Sequence, residues 1–370
     1  MSWTPIVAQR AIAWLLLFAA PRADAADQVL VAHPLPHAVI QRDETAPGAG
    51  HADVVLAGAL PRGTEGCTWT YRVVPAETEA GSSSAWQSMT LERDGDLFRG
   101  TVRVAAGGWY RLEMRGDANG EVRCEGSVEP IGVGEVFVIA GQSYATNTNE
   151  ERHNVLDVQR RVVAFDSAAG AWRVADDPQP TPDNSDGGSI WPPLGDALAA
   201  DLKVPIGFAN VAWGGTSSLQ WMPGEQLHQR LVQTGQTLGR FRAVLWQQGE
   251  SDVIGKTSTD QYVANLVKIR TTAAEAWGFE PCWLLAKSTH HPTVYNDPEA
   301  EGRIRAADDK LVELPGFCAG PDTDALQGEN RGDINSRRHF SAIGQTRAAE
   351  LWRQAILANM RGPESSSTRP

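Results

Sequence analysis

Four short stretches carry residues that could do chemistry, three of them where apolar runs stop and the fourth just before the last helical stretch. They are Gly141-Gln142-Ser143, Gly214-Gly215-Thr216-Ser217, Gln247-Gln248-Gly249-Glu250-Ser251-Asp252, and "GDINSRRHFSAIG" at 332–344, which holds His339. Taken alone, Ser143 reads as the first polar residue of a turn after a buried strand. With a histidine and two glycine- or amide-rich loops, it completes the parts list of an acyl transfer. A serine hydroxyl needs a base to take its proton, and histidine exchanges protons near neutral pH. An oxyanion needs donors fixed in advance. Glycine lets the backbone approach a ligand closely, and a side-chain amide donates without titrating.

Each of these residues also has a plainer reading. His339 could start a helix, Gly214-Gly215 could be an ordinary turn, and Gln248 could be a satisfied buried amide. Glu250 and Asp252 read as caps or ion-pair partners of the following loop and receive no catalytic assignment. His290-His291 ends an apolar run at the same edge and suits either a structural role or a substrate contact. "GESDVIGKT" (249–257) is not a phosphate-binding loop, because five residues separate its glycines where that motif has four. A Gly-x-Ser-x-Gly elbow is absent, since Ala145 stands at its last position. No C-x-x-C or cysteine–histidine cluster has metal-ligand spacing, so zinc is not expected.

The elements around these stretches change character near Gly134. From about Gln28 to Pro130 the chain shows short β-type runs such as "CTWTYRVV" and "LFRGTVRV", separated by turn signals. That pattern predicts a small β-sandwich domain over 26–130 with no visible chemistry. Beyond it, "EVFVIAG", "IGFANVAWGG", "AVLWQQG" and "CWLLAKS" alternate with helical stretches. These include one starting near Ser258 or Thr259 and a closing amphipathic helix. Such alternation predicts an α/β domain over 131–360, a parallel sheet covered by helices. Ligands of such sheets bind beyond the carboxyl ends of the strands, where the first three polar stretches fall. "DNSDGGSIWPP" (183–193), with Trp191, is expected to line or rim that pocket. The segment 361–370 lacks core residues and is expected to be disordered.

The 370 residues carry a net charge of −12, which argues against nucleic acid as a partner. Arg10, the apolar run at 11–20 and the small pair Ala23 and Ala25 have the order of a secretory signal covering 1–25. The run is too short to span a bilayer, and no later segment is apolar enough to do so. A secreted or periplasmic location follows. It makes Cys67, Cys124, Cys282 and Cys318 candidates for disulfides, with pairing inside each region the simplest of three connectivities.

"AGQS", "NVAWGGTSSLQW", "LWQQGESD" and "HFSAIG" together resemble the successive blocks of the SGNH-hydrolase superfamily, in its carbohydrate acetylesterase branch related to sialate O-acetylesterase. The resemblance runs in order from about Gly134 to Trp352. It implies a flavodoxin-like three-layer domain that hydrolyses O-acetyl esters on carbohydrates, from sialic acid to plant or microbial glycans, without a cofactor. It implies Ser143 as nucleophile and His339 as base, with Ser143 N–H, Gly215 N–H and Gln248 as oxyanion donors. Two positions depart from the pattern. Tyr144 follows the serine where the branch has asparagine, so any role of that asparagine is either lost or moved to Asn147. The superfamily's aspartate, three residues before the histidine, is Ser336 here, and the nearest aspartate is Asp333. Either the intervening segment bulges so that Asp333 reaches the imidazole, or a backbone carbonyl orients it in a Ser-His dyad. A carbohydrate-binding protein on a decayed esterase fold is the alternative reading, motivated by the same departure.

Overall fold

The structure is a computed structural model, and it describes residues 28–76, 83–291, 295–332 and 338–361. The expected leader at 1–25 lies outside the described residues, as does the expected tail at 361–370 apart from Arg361, which ends the last helix. The chain divides into two compact units, one ending at Val133 and the other beginning at Gly134, with Thr45–Gly48 grouped with the second.

The first unit is built from β1 (Leu30–His33), β2 (Val39–Gln41), β3 (His51–Ala59), β4 (Thr68–Pro75), β5 (Gln87–Met89), β6 (Leu91–Asp94), β7 (Leu97–Ala105), β8 (Gly107–Ala118) and the first part of β9 (Glu121–Gly141). One antiparallel sheet runs β1-β3-β7-β6, and β5, β4, β8 and β9 pair in that order in another. The strands alternate as half-buried strands must. In β7, Phe98, Val102 and Val104 are buried while Arg99, Thr101 and Arg103 are exposed. Val54, Leu56, Phe98 and Val102 of one sheet share a core with Trp69, Tyr71, Leu112 and Met114 of the other.

The second unit continues β9 from Gly134 and adds β10 (Val162–Asp166), β11 (Ala171–Val174), α1 (Trp191–Leu202), β12 (Ile206–Asn210), α2 (Gln226–Leu238), β13 (Ala243–Gln247), α3 (Glu250–Ile254), α4 (Thr259–Trp277), β14 (Cys282–Lys287), α5 (Pro298–Leu311), β15 (Phe317–Asp322) and α6 (Ala342–Arg361). The sheet order is β11-β10-β12-β9-β13-β14-β15, parallel throughout except for β11 at the edge. Its strands read as unbroken apolar runs because helices cover the sheet: every residue from Val136 to Ala140 is at most 1% exposed. α1 packs with α6, while α2 packs with α4 and α4 with α5. Strands β12-β9-β13-β14-β15 follow the doubly wound order 2-1-3-4-5, and the β10–β11 hairpin extends one edge.

From β9 the chain moves out to β10, returns to β12, and then crosses to β13 on the far side of β9. The strand order therefore reverses at β9. Ligands of open α/β sheets sit beyond the carboxyl ends of the strands at such a point. Ser143, Gly215 and Gln248 follow the carboxyl ends of β9, β12 and β13.

Cys282 and Cys318, at the start of β14 and in β15, form a disulfide. The expected partner bridge is not formed: Cys67 and Cys124 are not joined in a disulfide, and Cys124 is buried in the core of the first unit. Cys124 lies opposite Gly116 on β8, whereas Cys67 immediately precedes β4, whose Thr68 faces Asp117.

Candidate active site

Gly141 ends β9 with φ of 132°, and a Cβ there would sit 2.1 Å from the carbonyl oxygen of Gln247. Only glycine fits so close to β13. The next amide, Gln142 N–H, donates to the same carbonyl at 3.0 Å. The chain then turns sharply, with Ser143–Ala145 as a single 3-10 turn. Thr146 N–H and the hydroxyls of Thr146 and Thr148 all donate to the Ser143 carbonyl. The backbone of Ser143 is thereby fixed, and its side chain is half-buried at the strand tip. Trp191 sits beneath this turn rather than at the pocket rim. It is fully buried, and its indole N–H donates to the Ala145 carbonyl at 2.9 Å.

The loop after β12 lies against the serine. A Cβ on Gly214 would fall 3.8 Å from the Ser143 Cβ and 3.4 Å from Asp183 Oδ2. Trp213 N–H donates to the Gly141 carbonyl at 3.0 Å, and Gly214 N–H to Asp183 Oδ2 at 3.1 Å. Gly215 follows with φ of 71°, in the left-handed region, and nothing within 4 Å of where its Cβ would be. Its glycine identity answers to backbone conformation, and a side chain would project into the open space.

Gln248 is fully buried. Its Nε2 donates to Asp252 Oδ2 at 2.7 Å, the Thr216 carbonyl at 3.1 Å and Gln142 Oε1 at 3.2 Å, while its Oε1 accepts from the Tyr262 hydroxyl at 2.8 Å. Two amide hydrogens thus face three protein acceptors. The side chain ties together the loops that follow β9, β12 and β13. Asp252, its closest acceptor, is held by Ser218 N–H, the Ser218 hydroxyl and Thr257.

His339 arrives from the far end of the chain, and its segment docks on the residues after Ser143. Phe340 N–H donates to Asn149 Oδ1, and Glu150 N–H to the Phe340 carbonyl, both at 3.1 Å. Tyr144, 1% exposed, packs edge-on against the imidazole with ring centroids 5.3 Å apart. The Tyr144 hydroxyl donates to the carbonyl of Arg338 and accepts from Arg331 Nη1. Arg331 is pinned in turn by the Leu326 and Thr323 carbonyls. Burial holds the Tyr144 phenol well above its ordinary pKa, so it stays neutral. Asp333 and Ser336 lie outside the described residues.

Two expectations for neighbouring residues change. Asn147 does not face the serine: its side chain binds the Gln179 backbone, Thr181 and the Ser185 carbonyl, fastening the 179–185 segment. His290 faces Glu301, with Nδ1 3.5 Å from its carboxylate. His291 is buried, its pKa lowered by that burial and by the Arg338 charge.

Sequence reasoning missed Glu250. It is 1% exposed, and its Oε1 accepts from the Ser288 hydroxyl at 2.8 Å. Burial pushes its pKa up to about 8, with Asp324 adding to the rise and Arg331 opposing it. Its charge, when ionised, also helps raise the Tyr144 pKa. The only trace in the sequence is an acid two residues after Gln248, on the loop leaving an apolar strand. Among the described residues no cluster of three or more His, Cys, Asp or Glu could hold a metal ion, and no helix is long and apolar enough to cross a membrane.

Residues 133–286 match the family model described as "Carbohydrate esterase, sialic acid-specific acetylesterase". A probable carbohydrate esterase of Arabidopsis thaliana is 36% identical over 76 residues, which span 20% of this chain and 29% of that protein. The chain therefore matches less than a third of this curated relative. Among solved structures, a carbohydrate acetylesterase of Xanthomonas citri superposes with a TM-score of 0.57, covering 92% of this chain and 77% of that one at 16% identity. At that identity the likeness is one of fold.

Proposed function

We propose that this chain, whose residues 133–286 match the family model of sialic acid-specific acetylesterases among the carbohydrate esterases, is an exported serine esterase that removes O-acetyl groups from carbohydrate. The observation that carries the reading is a convergence. The Ser143 turn, the Gly214-Gly215 loop and the His339 segment meet at the switch point of a parallel sheet. The Ser143 hydroxyl attacks the acetyl carbonyl as His339 accepts its proton. The tetrahedral oxyanion is held by Ser143 N–H, Gly215 N–H and a hydrogen of Gln248 released from the Thr216 carbonyl or Gln142. His339 then protonates the departing sugar hydroxyl, leaving acetyl on Ser143. Water, deprotonated by His339, releases acetate by the same steps in reverse order. Asp333 or a backbone carbonyl orients the imidazole.

Hydrolysis of an activated acetyl ester by the protein and by Ser143→Ala is the direct test, followed by acetate release across a panel of acetylated glycans. Loss of turnover in a variant that melts normally supports the reading. Undiminished turnover ends it, and sugar binding without turnover of any ester would favour a binding protein on this fold.

A further inference from the structure

The first unit contains a cavity of about 680 Å³ whose lining includes Gln28, Arg72, Trp86, Glu113, Arg123 and Glu125. None of these residues belongs to the esterase reading. The volume falls in the range of small-ligand sites, about 300–1,000 Å³.

The strand register explains how the polar groups gather. Arg72 of β4 lies opposite Glu113 of β8, Glu113 opposite Ser127 of β9, and Arg115 opposite Glu125. These positions share one face of the sheet, because side chains alternate along a strand. The intervening residues Trp69, Tyr71, Leu112 and Met114 fill the core behind it. Trp86, just before β5, is only half-buried and is not among the residues of the core that the two sheets of this unit share. Its indole is fixed by two guanidinium groups, Arg115 at 4.2 Å and Arg72 at 4.7 Å from the ring centroid. Arg72 is paired to Glu113 at 2.5 Å, and Arg115 to Asp117 at 3.2 Å. A half-exposed tryptophan is thus held rigid beside an ordered array of forked donors and acceptors.

The charged lining residues cancel, Arg72 and Arg123 against Glu113 and Glu125. An anion or a cation gains no net attraction there. An apolar peptide would strip water from the ion pairs without replacing their hydrogen bonds. A neutral polyhydroxyl ligand matches instead. Vicinal hydroxyls can donate to a carboxylate and accept from a guanidinium fork, and the C–H face of a sugar ring can cover an indole. We infer that this cavity is a binding site for a neutral oligosaccharide, separate from the hydrolytic site.

The test uses the full chain carrying Ser143→Ala, titrated calorimetrically with cellohexaose and xylohexaose, with oligogalacturonate as the charged probe. Saturable binding of a neutral oligosaccharide is expected. Adding Trp86→Ala should weaken it at least about tenfold, 1.4 kcal/mol, whereas Trp86→Phe keeps most of it. In the otherwise unaltered protein, Trp86→Ala should leave hydrolysis of a small activated acetyl ester at its normal rate. No binding of either neutral oligosaccharide, equal binding after Trp86→Ala in a chain that melts normally, or preference for oligogalacturonate would each overturn the inference. These results do not depend on whether Ser143 proves to be the nucleophile.

Discussion

Tyr144 lies edge-on to His339, centroids 5.3 Å apart, and its hydroxyl bonds the carbonyl of the residue just before that histidine. The residue after the proposed nucleophile therefore braces the proposed base. In Tyr144→Phe the ring contact survives and the hydroxyl bond is lost. A net hydrogen bond is worth about 0.5–1.5 kcal/mol, so kcat should fall by up to roughly tenfold with KM nearly unchanged. Steady-state kinetics against pH would check it. An unaltered kcat and pH profile would reduce Tyr144 to core filling.

Gln248 both braces and, in the proposed mechanism, donates. Its replacement by alanine removes a donor to Asp252 and the acceptor of Tyr262, both buried. A loss of about 2 kcal/mol, roughly 4–8 °C in Tm, is expected for the fold. Removing an oxyanion donor additionally costs about 10²–10³ in kcat. Calorimetry and turnover well below Tm separate the two roles. A lowered Tm with kcat within roughly tenfold would leave Gln248 as a brace only.

Glu250 predicts a pH dependence of stability. Its folded pKa, pushed to about 8, lies above the ordinary value of 4.5. The folded state therefore holds the proton more tightly than the unfolded chain. That contribution is complete below pH 4.5 and is lost as pH rises through about 8. Glu250→Gln cannot titrate, so its stability relative to the parent should improve from pH 5 to about pH 8 and level off above that. Urea denaturation at several pH values would show a constant difference if the carboxyl were solvated.

The single disulfide makes a chemical prediction. Alkylation of the unfolded, unreduced chain should label two thiols, Cys67 and Cys124, and a second bridge would leave none. Reducing Cys282–Cys318, 36 residues apart, should cost up to about 4 kcal/mol on loop-closure grounds, read as a lowered Tm.

The four central strands could be read from sequence because each is an apolar run bounded by glycine or polar residues. Ser258 could be read as a helix cap, and its hydroxyl does accept from Gln261 N–H at 3.2 Å. The β10–β11 hairpin was hidden inside a polar stretch, since Ala171–Val174 is an edge strand with half its residues exposed. β15 was missed for a similar reason: "FCAGPD" contains a glycine and a proline and is only partly buried. Within the site, strand ends and loop order were legible because chemistry-bearing residues followed apolar runs. Trp191 was misplaced because a tryptophan near a glycine-rich segment looks like a pocket wall, whereas its indole N–H supports the serine turn from below. The brace from Tyr144 to the Arg338 carbonyl spans 194 residues, and no local pattern encodes such a pairing.

The last prediction concerns what orients His339. Two carboxyls are weighed for the role, Asp333 by sequence position and Glu250 as a buried carboxyl on the loop after β13. An aspartate on the ring nitrogen remote from Ser143 would fix the tautomer and stabilise the imidazolium that forms as the serine attacks. In the serine proteases, losing that carboxylate to asparagine lowers kcat by ~10⁴, which serves as an upper guide. Asp333→Asn should therefore lower kcat at least about 10²-fold while sparing KM, if the aspartate completes a triad. Glu250→Gln keeps the bond from the Ser288 hydroxyl through its amide oxygen, and should change kcat less than roughly tenfold. The reverse ranking would transfer the orienting role to Glu250, and the kcat profile would then lose an ionisation near its raised pKa of about 8. Two small effects would mean that a backbone carbonyl holds the imidazole. Tyr144, which fixes the Arg338 carbonyl beside His339, would then position the base, and Tyr144→Phe should lower kcat more than either Asp333→Asn or Glu250→Gln.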